Sequence, residues 1–321
     1  MLAVLRSICL AAVICPIAIA ADPPAKVYTD PAHADGDFLI QGEYEGRIGK
    51  DARIGAQIIA LGEGKFEGAL YSKGLPGAGW DRTKIVLRGG ARDKVVQFEG
   101  TNLSGTIVDG RMTGKLDDAP FELKRIERES PTIGVRPPQG ALVLFDGSSV
   151  DQWEGGRIQE EKYLAVGTRT KRAFRNYVLH LEFRIPYQPF DRGQGRGNSG
   201  LYLNDQYEFQ ILDSFGLAGE NNECGGYYSF AKPAVNMCLP PLSWQTFDVE
   251  FAMARFDEAG KKVRPATATV RLNGVLIHDK YEIPRSNGGG GLNDETRPGG
   301  IFLQDHGNPV HFRNIWILEK D

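Results

Sequence analysis

Between residues 37 and 127 the chain repeats one motif: a short run with apolar side chains at alternate positions, then a glycine-containing break. Phe38 to Glu43, Ala56 to Ala60, Lys84 to Arg88, Val95 to Phe98, Gly105 to Val108 and Phe121 to Ile126 are such runs. A period of two puts successive side chains on opposite faces, so each run predicts a half-buried strand. Strands at this spacing with turn signals between them predict a small β-sandwich or barrel over 36–127. Helical periodicity is nearly absent. GLPGAGWDR, Gly74 to Arg82, is a glycine-rich excursion read as a packed loop around Trp80.

The pattern stops at SPTIGVRPPQG, Ser130 to Gly140, which carries Pro131, Pro137 and Pro138. Proline fixes φ and has no N–H for a ladder, so 128–140 reads as a stiff linker between domains. Strand signals then resume over 141–321. They fall at Ala141–Phe145, Tyr177–Ile185, Ser199–Asn204, Tyr207–Leu212, Thr246–Ala254, Thr267–Leu272, Gly300–Gln304 and His311–Leu318. Asn273-Gly274 between apolar runs is a hairpin turn signal. Antiparallel strands on this scale suit a two-sheet jelly roll. The predicted fold class is therefore all-β. The run Gly288 to Gly291 reads as a mobile surface loop.

Composition adds a compartment. Residues 1–20 combine Arg6, a largely apolar stretch from Ser7 to Ile19 and the small-x-small end Ala18-Ile19-Ala20, the pattern of a secretory signal peptide. The apolar stretch is shorter than the ~20 residues a spanning helix needs, and no other segment could cross a bilayer. A periplasmic, secreted or cell-surface location is expected. The leader takes Cys9 and Cys15 with it. Cys224 and Cys238 remain, either as a disulfide of an exported chain or as two buried thiols. CxxC spacing is missing, which argues against structural zinc. A formal net charge of −3 gives no footprint for nucleic acid or an anionic membrane. Glycine, 40 of 321 residues, exceeds the usual ~7%, as many turns between short strands would require. GRGNSG, Gly195 to Gly200, matches GxGxxG in form. It runs into the strand-like Leu201-Tyr202-Leu203 and not a helix N-terminus, so no nucleotide cofactor is expected.

Polar residues concentrate inside strands of the second unit. In YEFQILD, Tyr207, Phe209 and Ile211 share one face, Glu208 and Gln210 the other, and Asp213 ends the run. In IFLQDHG, Gln304 and His306 share a face. Arg313 and Asn314 interrupt an apolar strand, and Asn198-Ser199-Gly200 opens another. Carboxylate, amide, imidazole and guanidinium groups on one sheet face suit sugar hydroxyls, and they also supply oxygen and nitrogen metal ligands.

These residues carry a resemblance. LFDG (Leu144 to Gly147) with Trp153, NSGLY (Asn198 to Tyr202), YEFQILD, GGYY (Gly225 to Tyr228), Trp244, LNG (Leu272 to Gly274) and IFLQDHG-x-x-x-HFRNIWI occur in the order seen in the DUF1080, or 3-keto-disaccharide hydrolase, family. Residues 141 to 319 resemble that family. The first unit looks like an accessory domain that precedes this module in some planctomycete-type proteins. The resemblance implies a concanavalin-like, laminin-G-like jelly roll, an exported hydrolase and a 3-keto-glycoside substrate.

A 3-keto sugar has an acidified C2 proton, and its C1 oxygen can leave by elimination before water adds. A base, an electrophile for the C3 oxygen and an acid are needed. His306 is cast as base, with Glu208 as alternative base or metal ligand. Asp213, Gln210 and Gln304 are cast on metal or hydroxyls, and Arg313 and Asn198 on the ketone. A divalent cation on Glu208, Asp213 and His306 is one expectation. A glycosidase pair of Glu208 and Asp213 is another. A carbohydrate-binding lectin using Trp153, Trp244 and Tyr227 is the non-enzymatic alternative.

Overall fold

The structure, a computed structural model, describes residues 26–92 and 95–321. The proposed leader lies outside the described residues. Among those described there are 23 strands, three 3-10 turns and no α-helix, the all-β class the alternation predicts. No described helix is long and apolar enough to cross a membrane.

The first eight strands form a closed antiparallel barrel. They are β1 (Gly42–Ile48), β2 (Ala52–Gly62), β3 (Lys65–Ser72), β4 (Lys84–Arg92), β5 (Val95–Gly100), β6 (Leu103–Val108), β7 (Arg111–Leu116) and β8 (Ala119–Ile126). Each pairs with the next, and β8 closes on β1 with Gly46 opposite Leu123. Tyr44, Ile58, Phe66, Val96, Phe98, Met112 and Leu123 fill the interior. β7 is almost invisible in sequence because RMTGKL fully buries only Met112, with Leu116 packing at the core's edge. The Phe38–Glu43 run is not one strand. Asp35 accepts from the Phe38 N–H and caps a 3-10 turn, Gly36–Leu39, before β1 starts. The GLPGAGW excursion packs as read. Leu75 is fully buried, and Trp80 meets Tyr71 edge-on at 5.3 Å.

The remaining strands are β9 (Leu142–Phe145), β10 (Trp153–Glu154), β11 (Ile158–Gln159), β12 (Tyr163–Leu164), β13 (Thr168–Thr170), β14 (Asn176–Arg184), β15 (Ser199–Leu203), β16 (Tyr207–Ile211), β17 (Trp244–Ala252), β18 (Arg255–Phe256), β19 (Lys262–Arg264), β20 (Ala266–Leu272), β21 (Val275–Ile283), β22 (Phe302–Leu303) and β23 (His311–Glu319). One sheet runs β10-β13-β22-β15-β16, the other β11-β12-β23-β14-β17-β20-β21 with β9 beside β23. Leu179, Leu181 and Phe183 of one sheet pack with Leu201, Phe209 and Ile211 of the other in a single jelly-roll core. The disulfide is not formed. Cys224 and Cys238 are buried free thiols, and burial followed by the neighbouring Cys224 pushes the Cys238 thiol well up, so it stays protonated.

The proline-containing linker is tied down. Ser130 Oγ and Thr246 Oγ1 lie 2.6 Å apart, Thr132 Oγ1 donates to Asp248 at 2.7 Å, and the Gly134 N–H donates to Glu182 at 2.7 Å. Barrel and jelly roll also share a two-residue bridge, in which Tyr28 and Tyr187 exchange backbone hydrogen bonds. The Tyr187 ring then sits in the barrel's core cluster.

Barrel glycines mark strand approach as well as turns. A Cβ on Gly46 would lie 1.9 Å from the Glu122 carbonyl oxygen, and one on Gly114 would lie 2.2 Å from that of Ser104. Gly46→Ala should therefore destabilise the barrel by about 1–3 kcal/mol through overpacking. Gly90→Ala, whose Cβ would meet only one atom at 4.0 Å, should change stability by less than about 0.5 kcal/mol. Thermal unfolding of the two variants checks this, and equal midpoints would contradict it.

Candidate active site

The site lies on the face of β15, β16 and β22 turned away from the jelly-roll core. Leu201, Leu203, Tyr207, Phe209 and Ile211 point inward, as the alternation requires. Gly200 pairs with Gln210 and Tyr202 with Glu208, so these four share the opposite face. That face is not solvated. Every residue of β15 and β16 is buried, because two loops and the turn around Tyr228 cover it. They border an open cavity of about 290 Å³ lined by Gln194, Asn198, Tyr202, Glu208, Gln210, Tyr228, Asn287, Gly288, Gly289, Gln304 and His306.

Glu208 is only 5% exposed. Burial penalises its charged form and raises its pKa to about 7, against a smaller opposing effect of the Tyr202 hydroxyl. Among the described residues it forms no ion pair. Its carboxylate reaches across Gly200, where a Cβ would sit 2.5 Å from Oε1. Burial also raises the Tyr202 phenol, so it stays a neutral donor. The Gln304 amide donates to the Tyr202 hydroxyl at 3.2 Å. Gln210 Nε2 donates to Gln194 Oε1 at 2.9 Å, and Asn198 Nδ2 to the Gln194 carbonyl at 2.7 Å. Gln210 Oε1 and Gln304 Oε1 are buried with no donor. An unmet buried acceptor costs about 1–3 kcal/mol, and neither oxygen reaches solvent or another donor among the described residues. The glycine-rich loop is part of this wall. Asn287 accepts from the Glu208 N–H at 2.6 Å and donates to the Tyr228 carbonyl at 2.7 Å. A Cβ on Gly289 would lie 2.1 Å from the Tyr202 hydroxyl.

Of the residues singled out in sequence, Glu208, His306, Asn198, Gln210 and Gln304 line this one cavity. His306 is exposed at its rim, while Glu208 lies within. Four others are elsewhere. Asp213 is engaged by Arg196 Nε at 2.6 Å in a buried pair facing the barrel. It is therefore unavailable as catalyst, partner carboxylate of a glycosidase pair or metal ligand. Arg313 belongs to the other sheet, bonded to Glu182 at 2.7 Å and lying 4.0 Å over the Trp244 ring. Trp153 is core, its indole N–H held by the Leu144 carbonyl at 2.8 Å. Tyr227 is fully buried and its hydroxyl donates to the Arg285 carbonyl. The Glu208–Asp213–His306 metal set thus does not converge, and among the described residues no three His, Cys, Asp or Glu side chains cluster to hold a metal.

Sequence reasoning missed Tyr202, Tyr228, Gln194 and Asn287. Tyr202 was legible, since Leu201 and Leu203 pointing inward put it on the Glu208 face. Tyr228 in place of Tyr227, and Asn287 within a glycine run, depend on long-range packing.

A two-sheet sandwich whose one sheet carries a cavity of amides, phenols and a lone carboxylate suits a carbohydrate-active, glycoside hydrolase-like protein. Residues 140–318 match the model of the 3-keto-α-glucoside-1,2-lyase-like domain, and the chain belongs to that family. The crystal structure of a candidate glycosyl hydrolase from Parabacteroides distasonis is similar at 30% sequence identity and a TM-score of 0.51, covering 57% of this chain and 85% of that one. Another candidate glycosyl hydrolase from the same organism aligns at 18% identity and a TM-score of 0.41, over 57% of this chain and 95% of that one. No curated protein matches the chain.

The raised Glu208 carboxyl has a stability signature. The folded state keeps its proton while the unfolded chain releases it near 4.5. Its stabilising contribution is then complete below pH 4.5 and is lost as pH rises through about 7. Glu208→Gln, which removes the titration, should gain stability over the parent between pH 4 and pH 8 by on the order of 3 kcal/mol. Denaturant unfolding at both pH values reads this out. An equal difference between variant and parent at the two pH values would contradict it.

Proposed function

We propose that the chain is an exported enzyme that cleaves 3-keto-glycosides by elimination and rehydration. The observation carrying this reading is a carboxyl, Glu208, buried on the wall of a polar cavity with no ion pair among the described residues, where loss of solvation raises its pKa to about 7. A proton-transfer group is most effective when its pKa lies near the working pH. Clefts that tune one by burial are functional-site candidates.

Glu208 takes the C2 proton of the 3-keto sugar. The C–H electrons form the enolate, with charge on the C3 oxygen. Collapse of the enolate restores the ketone, makes the C1–C2 double bond and expels the C1 oxygen, which leaves as an alcohol once protonated. Water then adds at C1, and C2 recovers a proton from Glu208. Tyr202, a neutral phenol beside Glu208, donates to the developing enolate or holds the carboxylate in place. His306, at the rim, gives the leaving oxygen its proton and takes one back from the water that adds at C1. The amide side chains of the cavity wall, Asn198, Gln210 and Gln304 among them, bind sugar hydroxyls. This assigns the base to Glu208 and not His306, because Glu208 is the group that burial tunes. The lectin reading loses its platform, since Trp153 and Tyr227 are core and Arg313 covers Trp244.

Release of sugar from 3-keto-trehalose or a 3-keto-glucoside tests the proposal. Glu208→Gln should lower kcat/KM by about 10²–10⁴-fold, and the parent's kcat/KM for a nitrophenyl 3-keto-glycoside, whose leaving oxygen needs no acid, should rise with pH to a plateau through a midpoint near 7. His306→Ala should slow a substrate with a poor leaving group about a hundredfold and spare a nitrophenyl glycoside. Parent-like activity of Glu208→Gln would remove Glu208 from the mechanism.

A further inference from the structure

We propose that the N-terminal barrel positions the cavity wall formed by residues 192–198, and that Arg196 is the positioning residue through which it does so. The proposal rests on reading the cavity as the active site. The segment Tyr187–Asn198 holds two kinds of residue in close succession. Gln194 and Asn198 line the cavity. Tyr187, Phe190, Arg192 and Arg196 face the barrel. Tyr187 pairs with Tyr28 and donates to Asp35 at 3.0 Å. Phe190 covers Gly62 so closely that a Cβ there would lie 2.5 Å from its ring. Arg192 donates to the Leu61 carbonyl at 3.0 Å.

Arg196 is the centre of this junction. It and Asp213 are each only 4% exposed. Its Nε donates to Asp213 at 2.6 Å, Nη1 to the Ala60 carbonyl at 3.3 Å and Nη2 reaches Gln41 Oε1 at 3.5 Å. The last two acceptors belong to the barrel. A buried guanidinium needs its donors met as well as its charge, and unmet donors there are strongly unfavourable. Asp213 supplies the charge, and the barrel supplies the other acceptors. Arg196 in turn fixes the backbone on both sides. Its carbonyl accepts from the Asp213 N–H at 3.1 Å, and the next N–H, Gly197, donates to Gln188 Oε1 at 2.8 Å. Gly197 is left-handed at φ 62, with no room for a Cβ beside Ile185. One residue on, Asn198 enters the cavity and joins Gln194 in holding Gln210. A path thus runs from the barrel to Arg196, along the backbone to Gln194 and Asn198, and from their side chains to the Gln210 amide.

Full-length Arg196→Lys keeps the charge for Asp213 and loses the planar fork that reaches the barrel. Phe190→Ala loosens the same junction from an exposed position. Amide hydrogen exchange without ligand reads the wall directly, with β14 amides as internal reference. Both variants should speed exchange at Gly195–Asn198 at least tenfold while β14 stays protected. They should raise KM for the 3-keto-glucoside about tenfold, hold kcat within threefold and leave the midpoint of the pH profile unmoved. Unchanged exchange in Phe190→Ala, or faster exchange with KM within twofold of the parent, overturns the proposal. If Arg196→Lys also loosens β14, Phe190→Ala decides. If the parent turns over no 3-keto-glycoside, the catalytic reading fails, and the exchange comparison still decides whether the barrel holds the wall.

Discussion

Burial of one carboxyl without a counter-ion sets the terms for the C-terminal unit. Taking Glu208 out of water disfavours its charged form and brings its proton equilibrium to neutrality. That requires both faces of β15 and β16 to be covered, one by the second sheet and the other by loops. The coverings are specific. Asn287 meets the backbone of Glu208 and of Tyr228, the 194–198 loop meets Gln210, and the Tyr202 phenol meets the carboxylate. A solvated sheet face with the same residues would leave the carboxyl ordinary.

Glycine makes this crowding possible. Gly200 leaves the space across which the Glu208 carboxylate lies, and Gly289 lets a loop press against Tyr202. Gly197 turns the chain where a side chain would meet Ile185. GRGNSG therefore has a geometric reason that has nothing to do with phosphate. Two of its three motif glycines clear space, one for a core side chain and one for the buried carboxylate. In the barrel the same economy of volume lets neighbouring strands close the cylinder at Gly46 and Gly114.

Alternation in YEFQILD was enough to read that Glu208 and Gln210 leave the core on one face, and the structure adds Asn198 and Tyr202 to the same cavity. The all-β class and both strand-rich units followed from the same period of two. What alternation could not give was closure. Nothing in the runs distinguishes a sandwich from an eight-stranded cylinder, because that depends on β8 finding β1. Nor could it weigh one carboxylate against another. Asp213 lies just past the end of Glu208's strand, yet the Arg196 guanidinium, 17 residues upstream, pairs with it against the barrel. Arg313 and Glu208 sit in strands of different sheets, a separation set by topology alone. The surface glycine run borders the cavity through Gly288 and Gly289, and Asn287 just before it bonds the Glu208 N–H, a contact between positions far apart in the chain.

The central claim is that burial holds the Glu208 carboxyl near neutrality, and direct titration tests it most simply. The carboxyl stretch of Glu208, isolated by infrared difference against Glu208→Gln, should pass from protonated to ionised with a midpoint near pH 7. A midpoint near 4.5, the ordinary value for a glutamate, would contradict the account.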